Sequence, residues 1–97
     1  MYPVSFEWDE TKNRDNQQTH GVSFEEAQSV FLDENAVQFY DEVHSDDEER
    51  YIMVRLSSHL RLLLVVHTFR ETDGVIRIIS ARKPTAKESR VFLESRQ

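Results

Sequence analysis

The spacing of apolar and polar positions changes along this chain from a period of two to a helical period and back again. Residues 4–8 (Val-Ser-Phe-Glu-Trp) alternate, which predicts a short strand at a sheet edge, given its length and the neighbouring Pro3. Asp9 is placed to cap a helix. Residues 10–19 contain no apolar side chain, so a helix there has no stripe with which to dock. It is either a loosely held surface helix or a polar face kept for a partner, and His20-Gly21 ends it. Ser23-Phe24-Glu25-Glu26 has the form of a capping box and predicts a helix over residues 24–32, with Phe24, Ala27, Val30 and Phe31 on the docking face. Asp33-Glu34-Asn35 closes that helix, residues 36–40 read as a strand, and residues 41–49 form an acidic connection.

The second half returns to a period of two. In residues 49–56, Ile52, Val54 and Leu56 are predicted to face inward, opposite Tyr51, Met53 and Arg55. Ser57-Ser58-His59 turns the chain into its most apolar run, residues 60–69, a central strand with Arg61, Leu63, Val65, His67 and Phe69 on one face. Asp73-Gly74 marks a hairpin. The strand that follows, residues 75–83, is β-branched yet carries three cations. Strict alternation puts Ile76, Ile78, Ser80 and Arg82 on one face and Val75, Arg77, Ile79, Ala81 and Lys83 on the other. After Pro84, Thr85-Ala86-Lys87-Glu88 is a second capping box that opens a C-terminal helix. The pattern predicts an α+β fold. Its small antiparallel sheet has a meander of three core strands plus one or two short N-terminal strands, packed with two N-terminal helices and a C-terminal helix.

Composition narrows the function without naming it. Residues 1–97, with 38% hydrophobic content, suit a single domain. The chain has no cysteine, which removes disulfides, thiolate metal sites and a cysteine nucleophile. Its longest apolar run, residues 62–66, is too short to cross a bilayer, and a cytoplasmic protein with no membrane association is expected. The net charge of -6 conceals an asymmetry: residues 1–49 hold two cations and fourteen carboxylates, residues 50–97 ten cations and four carboxylates. A basic half of this kind either engages a phosphate backbone or an acidic protein, or is neutralised by the acidic half on folding.

A guanidinium within an apolar strand requires a carboxylate or an external anion. Arg61, Arg77, Arg82 and Lys83 form a candidate cationic cluster, and in a meander Arg77 and His67 can project from the same face of neighbouring strands. Cleaving RNA without a metal requires a base for the 2′-hydroxyl, cations to stabilise charge on the pentacoordinate phosphate, and an acid for the leaving oxygen. Histidine suits either proton-transfer role. The alternative is a hydrogen-bonded core His67 with Arg77 paired to a glutamate such as Glu49. The segment His44-Ser45-Asp46-Asp47-Glu48-Glu49 has the ligand types for a hard divalent cation but no recognised spacing, and reads as an acidic surface loop. There is no glycine-rich phosphate loop and no nucleophile elbow.

Several phrases occur in order: Phe6-Glu7-Trp8-Asp9, then His20-Gly21-Val22-Ser23-Phe24-Glu25-Glu26-Ala27, then His44-Ser45 followed by Glu49-Arg50, and lastly Arg77-Ile78-Ile79-Ser80-Ala81-Arg82-Lys83. Together they resemble the BrnT family of type II toxin–antitoxin ribonuclease toxins. The resemblance implies a RelE-like fold and a metal-independent endoribonuclease that needs no cofactor. It also implies neutralisation by a BrnA-like ribbon-helix-helix antitoxin in a hetero-oligomer that reaches operator DNA only through the antitoxin. The resemblance implies Glu49, His67, Arg77 and Arg82 for catalysis and Arg50, Lys83, Lys12 and His20 for RNA binding, to which the cationic cluster adds Arg61 as an RNA-binding candidate. Thr19 stands where the family often has a lysine, and the preceding helix is wholly polar. The competing functions are a non-catalytic binding module or co-repressor acting with a DNA-binding partner, and a metal nuclease using the acidic loop.

Overall fold

The computed structural model describes residues 4–34 and 36–94. Pro3 and Asn35, to which the sequence assigns punctuating roles, lie outside them, as does Arg96 of the basic half. The elements run β1 (Ser5–Glu7), α1 (Glu10–His20), α2 (Phe24–Gln28), a 3-10 turn (Ser29–Leu32), β2 (Gln38–Tyr40), β3 (Tyr51–Leu56), β4 (Leu62–Arg70), β5 (Val75–Arg82) and α3 (Ala86–Glu94). The predicted helix over residues 24–32 therefore tightens after one α-helical turn. In the five-stranded sheet, ordered β1-β5-β4-β3-β2, the apolar strand β4 is central and β3, β4 and β5 form the antiparallel meander. β1 pairs parallel to β5, so the sheet is mixed. The helices carry the chain from β1 to the far edge, and the meander brings it back in the same direction.

α1 is not loosely held. It lacks an apolar stripe but docks through two buried amides, Asn13 and Asn16. Asn16 Nδ2 donates to the carbonyls of Val22 (2.9 Å) and Ala81 (2.8 Å), and its Oδ1 accepts from Ala81 N at 3.2 Å. Asn13 Oδ1 accepts from Phe24 N at 2.9 Å. β1 pairs with β5 no further than Arg77. Beyond that point Asn16 supplies Ala81 with the donor and acceptor that a longer edge strand would have brought. Asp9 caps the helix start and Gly21, at φ 69°, ends it in the left-handed conformation.

The main core lies on one face of the sheet, where Val22, Phe24, Ala27 and Val30 pack on Met53, Leu63, Val65, Ile78 and Ala81. Burial of each such larger side chain is worth about 1.5–3 kcal/mol relative to exposure. Met53 faces this core opposite Val65, which reverses the predicted phase of β3. The opposite face is half covered by α3, whose Phe92 ring meets Phe39 at 5.1 Å, and Val54 is buried there as well. Both faces of β3 are lined by apolar residues because both are partly covered, so alternation alone could not tell them apart.

β5 contains the feature that positions the site. Val66 pairs with Ser80 but His67 pairs with Ile78, which leaves Ile79 unpaired in a β-bulge. Before the bulge Arg77 shares the face of Thr68, and after it Ser80 and Arg82 share the face of Val66 and Leu64. The expected division of this strand is thereby corrected. Ile76, Ile78 and Ala81 face the core, while Arg77, Ser80 and Arg82 all face the other side.

Candidate functional site

The part of that second face which α3 leaves open is overlaid by the acidic connection between β2 and β3. This connection is a closed loop. Asp41 N donates to Arg50 O at 2.8 Å, and the Ser45 hydroxyl donates to Asp41 O at 2.5 Å while accepting from Arg50 N at 2.9 Å. One serine therefore satisfies backbone groups at both ends and fixes Arg50 at the root of β3. Of the loop's carboxylates, Asp41 pairs with His44, Glu48 with Arg77 and Arg50, and Glu49 accepts from the Tyr51 hydroxyl. Among the described residues no three His, Asp or Glu side chains gather into a metal-sized cluster.

Glu48 is the hinge of the charge arrangement. It pairs with Arg77 from β5 and stands 3.8 Å from the guanidinium of Arg50. Arg82 forms a two-pronged pair with Glu88 of α3, both N–H···O contacts being 2.8 Å. That pair holds the Glu88 carboxyl at a pKa of about 2 and raises the guanidinium's. Glu88 also completes the Thr85 capping box, accepting from Thr85 N while Thr85 Oγ1 accepts from Glu88 N. α3 is thus anchored to β5 at the residue that holds Arg82. The three arginines are each about two-thirds buried, and Arg50 Nε is buried with no hydrogen-bond partner. Phosphate oxygens can replace carboxylate oxygens on such guanidiniums with the same two-pronged geometry.

Two cavities flank this cluster. One, of about 320 Å³, is lined by Glu7, Glu48, Glu49, Thr68, Arg70 and Arg77. The other, of about 220 Å³, is lined by Asp41, His44, Arg50, Ser80 and Arg82, with Val66 and Ile79 forming its apolar side. Glu49 is exposed in the first and accepts from the Tyr51 hydroxyl at 3.3 Å. Lys83 is exposed just past the end of β5. Lys12 and His20 lie on α1 and line a separate cavity of about 220 Å³ whose wall includes Ile79, so the bulged residue separates them from the Arg50 and Arg82 cavity.

Two predicted members are elsewhere. His67 does not share a face with Arg77, because His67 pairs with Ile78 and Arg77 with Thr68. It is fully buried on the core side, with Nε2 2.9 Å from Gln38 Oε1 and the Phe31 ring edge-on at 4.8 Å. Burial pushes its pKa down to about 4, only partly offset by the Val65 carbonyl. This geometry matches the hydrogen-bonded core histidine weighed as the alternative, and Arg77 is paired with Glu48 instead of Glu49. Arg61 is likewise outside the cluster, as it binds the buried Glu26 through two N–H···O contacts of 2.6 and 2.8 Å and donates to Gly21 O at 2.8 Å. Its guanidinium and the Ser57 hydroxyl hold Glu26 at a pKa of about 2 against the opposing effect of burial. Glu26 therefore does not return the capping-box bond to Ser23, although Ser23 Oγ accepts from Glu26 N.

Residues 8–88 match the family described as the ribonuclease toxin BrnT of type II toxin–antitoxin systems. The chain belongs to the BrnT family. Its fold is similar to the crystal structure of the Brucella abortus ribonuclease toxin BrnT, with a TM-score of 0.65 and 19% identity, covering 86% of this chain and 99% of that one. At that identity the likeness is one of fold. No curated protein matches the sequence. BrnT membership carries a ribonuclease toxin activity, and with it an RNA substrate and an antitoxin partner. Among the described residues no helix is long and apolar enough to cross a membrane. In this BrnT-family chain four of the residues the sequence nominates, Glu49, Arg50, Arg77 and Arg82, line the two cavities of this face. The sequence places His44 in an acidic loop and in the His44-Ser45 phrase without giving it a role, and it singles out neither Asp41, Glu48 nor Ser80. The one available signal was the His44-Ser45 phrase, whose serine closes the loop.

Proposed function

We propose that this chain is a metal-independent endoribonuclease whose site is the open sheet face bearing Arg50, Arg77 and Arg82. The observation that carries the reading is the β-bulge at Ile79, which turns Ser80 and Arg82 to the same side as Arg77. Three guanidiniums in that arrangement can hold a backbone phosphate and stabilise the charge that builds on it, the contribution a divalent ion makes in metal nucleases. Glu48 and Glu88 keep these cations paired in the free protein, and an incoming phosphate competes for the same donors. Glu49 in the adjoining cavity, with Lys83, Lys12 and His20 around the rim, supplies further contacts for an RNA strand. The acidic segment beside this face suits a basic partner, in keeping with a BrnA-like ribbon-helix-helix antitoxin that forms a hetero-oligomer with the toxin and carries operator binding.

Incubating the purified protein with RNA in the presence of a chelator tests the reading. Cleavage is expected to survive the chelator and to fall by about 10²–10³-fold in Arg77→Ala, the size of loss seen on removing one preorganised electrostatic group from a site. Activity that disappears with the chelator would assign the chemistry to a bound metal. No cleavage under any condition would favour a non-catalytic binding module.

A further inference from the structure

We propose that His44, oriented by Asp41, is a catalytic residue of this site and acts as the base that takes the proton from the attacking 2′-hydroxyl. This rests on the ribonuclease reading above. Among the described residues His44 is the histidine that shares a cavity with Arg50 and Arg82. His67 is sealed in the core, and His59 is bound to Glu26 beside Arg61. His20 lines the neighbouring cavity of α1. Asp41 is only 7% exposed, whereas His44 is 67% exposed. Its Nδ1 lies 3.0 and 3.2 Å from the two Asp41 carboxylate oxygens, which leaves Nε2 with no partner among the described residues. A buried carboxylate on one ring nitrogen fixes the tautomer, directs the other nitrogen outward and stabilises the imidazolium that forms when it accepts a proton. The Ser45 hydroxyl holds both ends of the loop, so the histidine and Arg50 are placed together by the same bonds.

The step balances without a metal or an oxidant. As Nε2 takes the 2′-hydroxyl proton, the 2′-oxygen forms its bond to phosphorus and the bond from phosphorus to the 5′-oxygen breaks. The leaving oxygen takes a proton from water, and the imidazolium returns its proton to the hydroxide left behind. Arg50 and Arg82 face the phosphate oxygens as charge accumulates on them. The products are a 2′,3′-cyclic phosphate end and a 5′-hydroxyl end.

The test compares the full chain with His44→Ala on an RNA oligonucleotide, with and without added imidazole, alongside thermal unfolding of both proteins. His44→Ala is expected to lose about 10²–10⁴-fold in kcat/KM, the usual contribution of a positioned base. Its unfolding midpoint should stay unchanged, and imidazole should restore part of the rate. A rate close to wild type, or a loss that imidazole does not relieve, overturns the assignment while leaving the ribonuclease reading in place. Absence of cleavage by the wild-type chain overturns both.

Discussion

His67 offers a quantitative check on how the sheet divides its two faces. The side chain has no exposed surface, and burial moves its pKa from 6.5 to about 4 because the imidazolium would lose its hydration inside the core. The unfolded chain therefore takes up this proton before the folded chain does. Stability linked to His67 is fully present above the unfolded pKa of 6.5, declines as the pH falls from 6.5 to about 4, and levels off below that. At about 1.4 kcal/mol per tenfold change in proton affinity, the displacement is worth about 3 kcal/mol. Urea unfolding of the wild type and of His67→Leu, followed from about pH 7 to about pH 4, isolates this contribution, since the two proteins share every other titrating group. The difference in unfolding free energy between them should shift by about 3 kcal/mol in favour of the variant as the pH falls. A difference that stays constant would refute the burial argument. The same variant, if folded, should keep most of its RNA cleavage at neutral pH, and loss of cleavage in a folded His67→Leu protein would return His67 to the site.

Three other outcomes follow from contacts elsewhere in the fold. Glu26, held at a pKa of about 2 by Arg61, should contribute stability that is fully present above its ordinary 4.5 and is lost as the pH falls from 4.5 to about 2; Glu26→Gln should lack that acid limb in the same unfolding series. Asn16→Ala removes three buried hydrogen bonds and leaves both backbone groups of Ala81 without partners, so it should cost about 2–4 kcal/mol by urea unfolding. Deleting Ile79 would remove the unpaired residue and join Ile78 directly to Ser80 in a regular ladder, which keeps Ser80 and Arg82 on the face of Arg77. Both the deletion variant and Ile79→Ala should stay folded by near-ultraviolet circular dichroism, and a molten deletion variant would refute the reading of Ile79 as the residue outside the ladder.

The elements of this fold were legible wherever one residue type had one use. β4 declared itself by its apolar run and α3 by a reciprocal Thr85 and Glu88 box. The failures share a physical cause, which is that a side chain was claimed by a distant partner invisible to local pattern. Glu26 looks like a capping glutamate but is committed to Arg61, thirty-five residues away. Asn13 and Asn16 look like solvated polar positions, yet they dock a helix that has no apolar stripe, because β1 stops short and leaves Ala81 needing a donor and an acceptor.

β5 shows the consequence for function. Strict alternation assigns Arg77 and Arg82 to opposite faces, which would make one of them structural and pair the other with His67. A single unpaired residue at Ile79 reverses that assignment, and it could not be read from the apolar pattern because isoleucine fits a bulge and a ladder equally well. Once the bulge is in place, the chemistry follows from what lies over it. Arg77 and Arg82 emerge on one side, the serine-closed loop brings Arg50 and His44 onto the same side, and the two carboxylates that neutralise the arginines come from that loop and from α3. Phosphate binding and the packing of α3 are thereby linked through Glu88, since any anion that takes Arg82 from Glu88 also removes the bond anchoring the first turn of that helix to the sheet.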